Sequence, residues 1–539
     1  MLAILTFLLY TSIVGAITYW FTRREKLETS DGYFLGGRSL NGWVIAGSLM
    51  LTNLSTEHLI GLNADAYRYT VAVMAWETTA ALAMVLMALY FLPKYLNLGL
   101  TTIPEFLTRR YDQSTQFIAS LLFLLSYAIA ILPIVLLFGA SGLEELFDVS
   151  TTWGVDRSTA TWMLVWGVGI LGSLYAVLGG LRAVAISDTV NGIGFLLAGL
   201  LIPYLALRSI GAGDLWAGMT QVYQEHPEKF DITGDEPGSF LPMGVLFTGM
   251  IVNQVFFWCT NQSIVQRALG ARSLAEGQKG VLLAGCFKLI GPLIIVLPGV
   301  IAFHLFADEL GEEGAMLAYP RLVKHVLPTA LTGFFAAVMV GAILSTFNSV
   351  LNSSATLFSQ GIYTHLFCPD ASELQKVRAG RICSVVLAVA AMTIAPTIDT
   401  TGSLYEYLQQ INATFFGPML AVILLGMLTR WATPLSAKVT LILGPIVFYV
   451  LVFGRGEQVQ SFLRHQFSLQ SDVHFLHLLA VVFSLAVIGM GVISWWKPGK
   501  SKTLPTRGHY VDMTPWRLAN HVSAFVVIVT LLCYMFLAA

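Results

Sequence analysis

The sequence predicts an all-α integral membrane protein of about fourteen transmembrane helices, and three observations carry that prediction. The 539-residue chain is 56% hydrophobic and 11% charged, with a mean hydropathy of +0.72, a balance that soluble globular domains do not have. Apolar stretches of about 20 residues, long enough to cross a bilayer as a helix, recur along nearly the whole chain. A few of these stretches carry polar or ionisable residues, each of which costs on the order of 2 kcal/mol or more in lipid unless it faces protein or water. The foremost is 43–67, WVIAGSLMLTNLSTEHLIGLNADAY, with Thr52, Asn53, Ser55, Thr56, Glu57 and His58 in one run. A soluble amphipathic helix could carry that run, but not the apolar spans that follow it.

The expected spans lie near 2–21, 40–62, 71–92, 115–142, 160–178, 183–208, 240–264, 276–305, 328–362, 379–398, 403–429, 436–454, 475–495 and 517–537. The first has no basic residue before it and Arg23, Arg24 and Lys26 directly after it. A cleavable signal peptide has the opposite charge order, so a retained helix with its N-terminus outside is expected. In that orientation 21 of the 30 Lys and Arg fall in inside connections, Arg267 among them. Eight fall outside, Lys229 among them, and Lys288 lies within a span. The asymmetry supports a chain with both termini outside.

The connections are short apart from outside stretches at 209–239 and 306–327 and an inside amphipathic segment, TTIPEFLTRRYD. They leave no room for a soluble catalytic or sensor domain. No HExxH, GxSxG or paired catalytic aspartates are found, so the chain is not read as an enzyme. A net charge of −1 gives no reason to expect nucleic acid, and no obligate protein partner is indicated. Cys259, Cys286, Cys368, Cys383 and Cys533 are too scattered for a disulfide frame or a zinc spacing.

The polar residues define the candidate site. On the second span Asn53 and Glu57 are four apart, as are Leu54 and His58, and Gly47, Gly61, Asn63 and Asp65 punctuate the same stretch. An interruption near 51–55 is expected, presenting backbone carbonyls at mid-membrane as secondary transporters do; a continuous helix with a polar packing seam is the alternative. Glu77 follows Trp76 on the third span and could be a site residue or an interface residue. Asp188, near the inner end of the sixth, could equally be a helix-end partner of Arg182. On the seventh, Gln254, Phe257, Trp258 and Asn261 share one stripe, where amides and aromatic faces suit a sugar or form a packed seam. Lys288 on the eighth needs a carboxylate, water or substrate oxygen. On the ninth, Ala342, Ser345 and Thr346, then Asn348 and Ser349, offer small and hydroxyl groups that suit sodium or close helix packing.

Several ordered stretches resemble the solute:sodium symporter family, and most of all its sugar-transporting branch, which includes the sodium/galactose and sodium/glucose symporters. They are YFLGGRSL, LTNLSTEHLIGL, TIPEFLTRRYD, YAVLGGLRAVAISD, FFWCTNQSIVQRALGARSLAEGQKG, FKLIGPLIIVLPG, STFNSVLNSSATLF and GPMLAVILLGMLTRWATPLSAK. The resemblance implies a LeuT-like core of five plus five inverted-repeat helices with broken helices at the site. It implies a first helix and link at 1–39, a transport core at 40–435 with repeats at about 40–208 and 240–430, and peripheral helices at 436–539. It implies a sodium site at the carbonyls of Leu51, Leu54 and Ala342 and the hydroxyls of Ser345 and Thr346, with a second candidate at Asp188, Ser345, Thr346, Asn348 and Ser349. Asn348 stands where members with two ions usually carry a hydroxyl. Sugar-binding positions fall on Asn53, His58, Glu77, Gln254, Lys288 and Gln409, with Trp258 as a stacking aromatic. Phe257 replaces a gate tyrosine and Ile131 replaces a polar sugar contact.

These readings converge on a sodium-driven symporter of a small polar solute, a monosaccharide in the first place, working by alternating access in a plasma membrane of bacterial inner-membrane type. Sodium is the expected coupling ion; sugar, sodium and the lipid bilayer are the expected partners. An amino acid, a sialic acid or a vitamin is the alternative cargo.

Overall fold

The computed structural model describes residues 2–23, 27–233, 240–398, 402–469, 471–499 and 511–537. Five of the basic residues used for orientation, Arg24, Lys26, Lys500, Lys502 and Arg507, lie outside the described residues. Among the described residues every regular element is a helix, and ten helices are long and apolar enough to cross a membrane. They include Leu2–Thr22, Val71–Leu98, Gln113–Phe147, Leu274–Leu310, Thr329–Leu366 and Leu404–Leu428. Each expected apolar span is helical, but not each is a single straight rod.

Two expected spans are interrupted. The second begins as Gly42–Asn53, loses helical geometry at Leu54, and resumes through a wide turn, Glu57–Leu62, into Asn63–Arg68. The seventh, expected as one span over 240–264, is instead Gly249–Cys259 followed by Gln262–Leu269. Thr260 and Asn261 stand between the halves, and Asn261 caps the second by accepting from Ser263 N at 3.0 Å. The helix thus runs past the expected end of the span and takes Arg267 with it. That residue is fully buried within the helix and is not the loop cation expected at the inside surface.

Two other expected spans join without a loop. Arg157–Ile210 is one helical stretch that turns at Gly180, where φ is 64° and ψ is −177°. That backbone region is open in practice to glycine alone. Along the stretch Gly169, Gly172 and Ala176 are buried while Leu171, Leu174 and Leu178 are exposed. Small residues face protein and large apolar ones face outwards, which lets membrane helices approach closely. A Cβ on Gly172 would come within 2.8 Å of the Phe347 ring.

The first broken helix sits at the centre. Gly280 lets Leu274–Leu310 reach Ile45 on one side, where a Cβ would meet it at 2.5 Å. Gly47 lets the 181–210 stretch bring Thr189 to within 2.9 Å of where a Cβ would stand on the other. The amphipathic segment TTIPEFLTRRYD forms Ile103–Arg110, capped by Thr102. Arg110 is pinned there through 2.9 Å hydrogen bonds to the carbonyls of Gly426 and Thr429. The connections contain helices Leu215–Glu225, Ala315–Val326 and Gly456–Phe467, none long enough to cross a bilayer.

Because Gly180 occupies a glycine-only conformation and a Cβ there would also press the Tyr33 carbonyl at 3.0 Å, Gly180→Ala should destabilise the fold by about 1–3 kcal/mol. Thermal unfolding of the purified protein in detergent should show a lower melting temperature; an unchanged one would contradict the turn described here.

Candidate functional site

The site begins at one peptide. Leu54 has φ −76° and ψ 76°, and Ser55 N donates to Asn53 O at 2.9 Å. This is an inverse γ-turn, a tight three-residue bend that ends the helical register. Leu54 N still reaches Met50 O at 2.7 Å, while His58 N and Leu59 N both turn to Ser55 O at 3.1 and 3.0 Å. The carbonyls of Leu51 and Leu54 therefore receive no hydrogen bond among the described residues. The next freed carbonyl, Thr52 O, accepts from the Thr346 hydroxyl at 2.7 Å, joining the break to Thr329–Leu366. Ser345 is buried beside Asp188 but out of hydrogen-bonding geometry with any partner. Ala342, one turn earlier, is fully buried in the same helix.

Asp188 belongs to a buried network on the N-terminal side of this break, reached through Ser48 and Thr52. Its carboxylate accepts from Ser48 at 2.7 Å and from Thr52 at 3.5 Å. Thr52 also meets the Ser349 hydroxyl at 3.1 Å. Arg267, 0% exposed, donates to Ser48 at 3.3 Å, to Ser349, and to the Ser263 carbonyl, and its charge is the one Asp188 faces. Asn348 takes no part: its carboxamide oxygen is buried against Gly172 without a hydrogen bond.

On the other side of the break lies a cavity of about 50 Å³. Asn53, His58, Glu77, Gln254, Phe257, Trp258, Lys288 and Gln409 all line it, as does Ile131. Lys288 Nζ is held 2.6 and 2.7 Å from the two oxygens of Glu77, and it also donates to Asn53 Oδ1. Both charged side chains are nearly inaccessible, 2% and 1% exposed. His58 Nε2 stands 3.5 Å from the same carboxylate, and Gly291 leaves it room, since a Cβ would come within 2.9 Å of Oε2. The Trp258 ring lies 5.2 Å below the Lys288 ammonium, a cation–π placement. Gln254 spends its amide on Trp76 O at 2.7 Å and Thr79 at 3.2 Å.

Asn261 is the one nominated cavity residue that does not line it. The break interrupts the stripe it shared with Trp258, and its carboxamide accepts instead from Tyr127 at 2.6 Å while capping the following helix. Sequence reasoning passed over Arg267, Ser48 and Tyr405. The signal for Arg267 was present in QSIVQR, where Ser263 and Arg267 are four apart on the short helix that follows the seventh-span segment. Tyr405, four residues before Gln409, packs edge-on against His58 at 5.5 Å and Trp76 at 5.8 Å.

Residues 33–444 match the pattern of the sodium:solute symporter family. The chain belongs to that family. It is accordingly a multi-pass membrane protein that couples sodium to movement of a solute, and not an enzyme. Its relatives include an uncharacterized symporter, YidK, of Escherichia coli K12, 42% identical over 96% of this chain and 87% of that one. They also include a sodium/glucose cotransporter of Vibrio parahaemolyticus, 31% identical over 80% and 82%, and the bovine sodium/myo-inositol cotransporter 2, 28% identical over 93% and 77%. Among solved structures, a sodium-coupled sialic acid symporter in a substrate-bound, outward-open state shares the fold, with a TM-score of 0.77 at 21% identity over 94% of this chain and 99% of the other. Mhp1, a nucleobase-cation-symport-1 family transporter, aligns with a TM-score of 0.52 at 15% identity over 86% and 95%. The expected all-helical LeuT-like class is thereby met.

In this symporter the Glu77–Lys288 pair is buried so completely that removing one partner strands the other, at about 3–5 kcal/mol. Glu77→Ala and Lys288→Ala should each lower the melting temperature markedly, and the double variant should lose less than the two together. Additive losses in that cycle would show that the charges are not coupled.

Proposed function

We propose that this symporter imports a neutral polyhydroxylated ring, a hexose in the first place, together with sodium, by alternating access. The observation that carries the reading is the adjacency of two things. The freed carbonyls of Leu51 and Leu54 flank Thr52, whose own carbonyl is tied to the Thr346 hydroxyl at 2.7 Å, and Thr52, Asn53, His58 and Thr346 all line the polar cavity. Sodium is a small hard cation that takes oxygen ligands, and these groups, with the Ala342 carbonyl, offer them without a carboxylate. Bound there, it braces the first broken helix against Thr329–Leu366 and favours the form in which the solute site is complete. A 100-fold preference for that form supplies about 2.7 kcal/mol of coupling.

The solute class follows from charge. Lys288, the cation among the described cavity-lining residues, is already neutralised by Glu77, which disfavours amino acids and sialic acid. Glu77, Asn53, Gln409 and His58 can instead exchange hydrogen bonds with hydroxyls while the Trp258 face meets the apolar side of a ring. Relatives named for glucose and myo-inositol transport support the same class. At about 50 Å³ the cavity holds a few waters, so a hexose enters only with movement of the side chains around it.

The second candidate ion position, around Asp188, Asn348 and Ser349, is countered by the Arg267 guanidinium, and we assign one sodium per cycle. We further propose repeats at about 40–208 and 240–430 within a core of 40–435. The chain sits in the plasma membrane, a bacterial inner membrane, with both termini outside.

The reading is tested by uptake of labelled glucose, galactose, myo-inositol, proline and sialic acid into proteoliposomes, with sodium or choline outside. Sodium-dependent uptake of a sugar or cyclic polyol is expected; sodium-dependent proline uptake alone would overturn the solute class. Ser345→Ala removes one oxygen ligand of about five and should raise the sodium concentration for half-maximal uptake severalfold. Unchanged sodium dependence in that variant would contradict the ion site. Glu77→Ala and Gln409→Ala should weaken solute binding by about 5- to 150-fold, since an unpaired buried hydroxyl costs about 1–3 kcal/mol. A sodium Hill coefficient near one is expected for the parent protein, and a value near two would restore the second ion.

A further inference from the structure

After the 157–210 stretch the chain runs over the expected outer face as the amphipathic helix Leu215–Glu225, ends it at His226, and continues through the turn Pro227–Phe230. This segment rests on the far part of the 274–310 helix. His226 stands edge-on to the Phe303 ring, with centroids 5.2 Å apart, and to the His304 ring at 5.4 Å. Glu225 Oε2 lies 3.3 Å from His304 Nδ1, and His226 Nδ1 lies 3.5 Å from Glu228 Oε1. One ligand atom from each of Glu225, His226 and His304 is within 4.8 Å of the other two, the one such His, Cys, Asp or Glu group among the described residues.

His304 points most clearly to a ligand. Its side chain is only 9% exposed, and its Nδ1 is buried and out of hydrogen-bonding line with any partner, the nearby Glu225 carboxylate included. A buried polar atom left so is costly, and a bonded ion in front of it would remove that cost. The Glu225–His304 spacing of 3.3 Å suits such an ion, and His226, within 4.8 Å of both, would close onto it. With metal–nitrogen bonds of about 2.0–2.1 Å in tetrahedral array, neighbouring ligand atoms stand about 3.3 Å apart. Calcium and magnesium prefer all-oxygen sites, whereas two imidazoles and a carboxylate select a borderline transition ion.

We propose that Glu225, His226 and His304 bind a divalent ion of the zinc class on the outer face, with Glu228 or water in the fourth position. The ion ties the 215–230 segment to the 274–310 helix. Lys229 of the same segment donates to the carbonyls of Tyr67 at 2.7 Å and Arg68 at 3.0 Å, so the tie also braces the outer end of the first broken helix. The site is independent of which solute the symporter carries.

The test takes the full chain, purified without an affinity tag and stripped with EDTA, and titrates it with zinc chloride against a chromophoric chelator. One zinc per chain should bind at micromolar concentration or below, and the melting temperature should rise as zinc is added. Cobalt in its place should give the intense visible absorption of a four-coordinate site. His304→Ala should weaken zinc binding by about tenfold or more, and so should Glu225→Gln, a change at an exposed residue that keeps the experiment informative if the buried variant does not fold. Absence of stoichiometric zinc binding overturns the proposal, and so does binding that is the same in both variants as in the parent protein.

Discussion

The rest of the structure depends on a backbone hydrogen-bond deficit at Leu54. In lipid an unpaired carbonyl is intolerable unless it faces protein or a polar cavity, so a helix can be broken at mid-membrane only if the neighbours are built for it. The inverse γ-turn at Leu54 leaves Leu51 O and Leu54 O without donors and hands Thr52 O to the Thr346 hydroxyl. Around that turn, glycines at 47 and 280 draw two helices in close, and the ninth expected span brings Ser345 and Thr346 to it. In the proposed reading a sodium ion meets that carbonyl deficit. The same turn divides the helix into two units, which is what the proposed alternating access requires.

Four of the charged groups near the break are arranged as local pairs, whereas Glu57, buried on the same cavity, has His58 Nδ1 at 3.8 Å as its one ion-pair neighbour among the described residues. Lys288 answers Glu77 on the cavity side, and Arg267 answers Asp188 on the other, the latter through Ser48, Thr52 and Ser349. Each pair bridges separate elements: the 71–98 and 274–310 helices in the first, and the 181–210 stretch and the second broken helix in the second. Such bridges are weak sources of stability compared with apolar packing, but breaking one strands a charge in a low-dielectric interior. They hold helices in register, and on the proposed reading they leave hydroxyls and freed carbonyls, the weaker groups, to exchange partners with sodium and solute.

Much of this was legible in the sequence because lipid makes polar residues conspicuous. Thr52 to His58, Glu77 and Lys288 stood out against apolar runs, and the interruption near 51–55 followed from their density. Breaks and bends that rest on a single residue were harder to read. Asn261 looks like a member of an aromatic and amide stripe, and only the loss of helical geometry at Thr260 turns it into a cap. Arg267 reads as a loop cation when the span is ended at 264, because composition cannot say that the helix runs on, buried, to Leu269. The joining of two spans at Gly180 was also hidden, since it depends on one torsion angle and leaves no run of polar residues.

The central claim is that an ion at the Leu54 break and a solute in the adjoining cavity stabilise the same form of the protein. Thermodynamic reciprocity tests it most directly. Isothermal titration calorimetry on the purified symporter would give the dissociation constant of the transported sugar with and without saturating sodium, and that of sodium with and without saturating sugar. The account predicts that each ligand tightens the other by the same factor. Sugar affinity that is indifferent to sodium would contradict it.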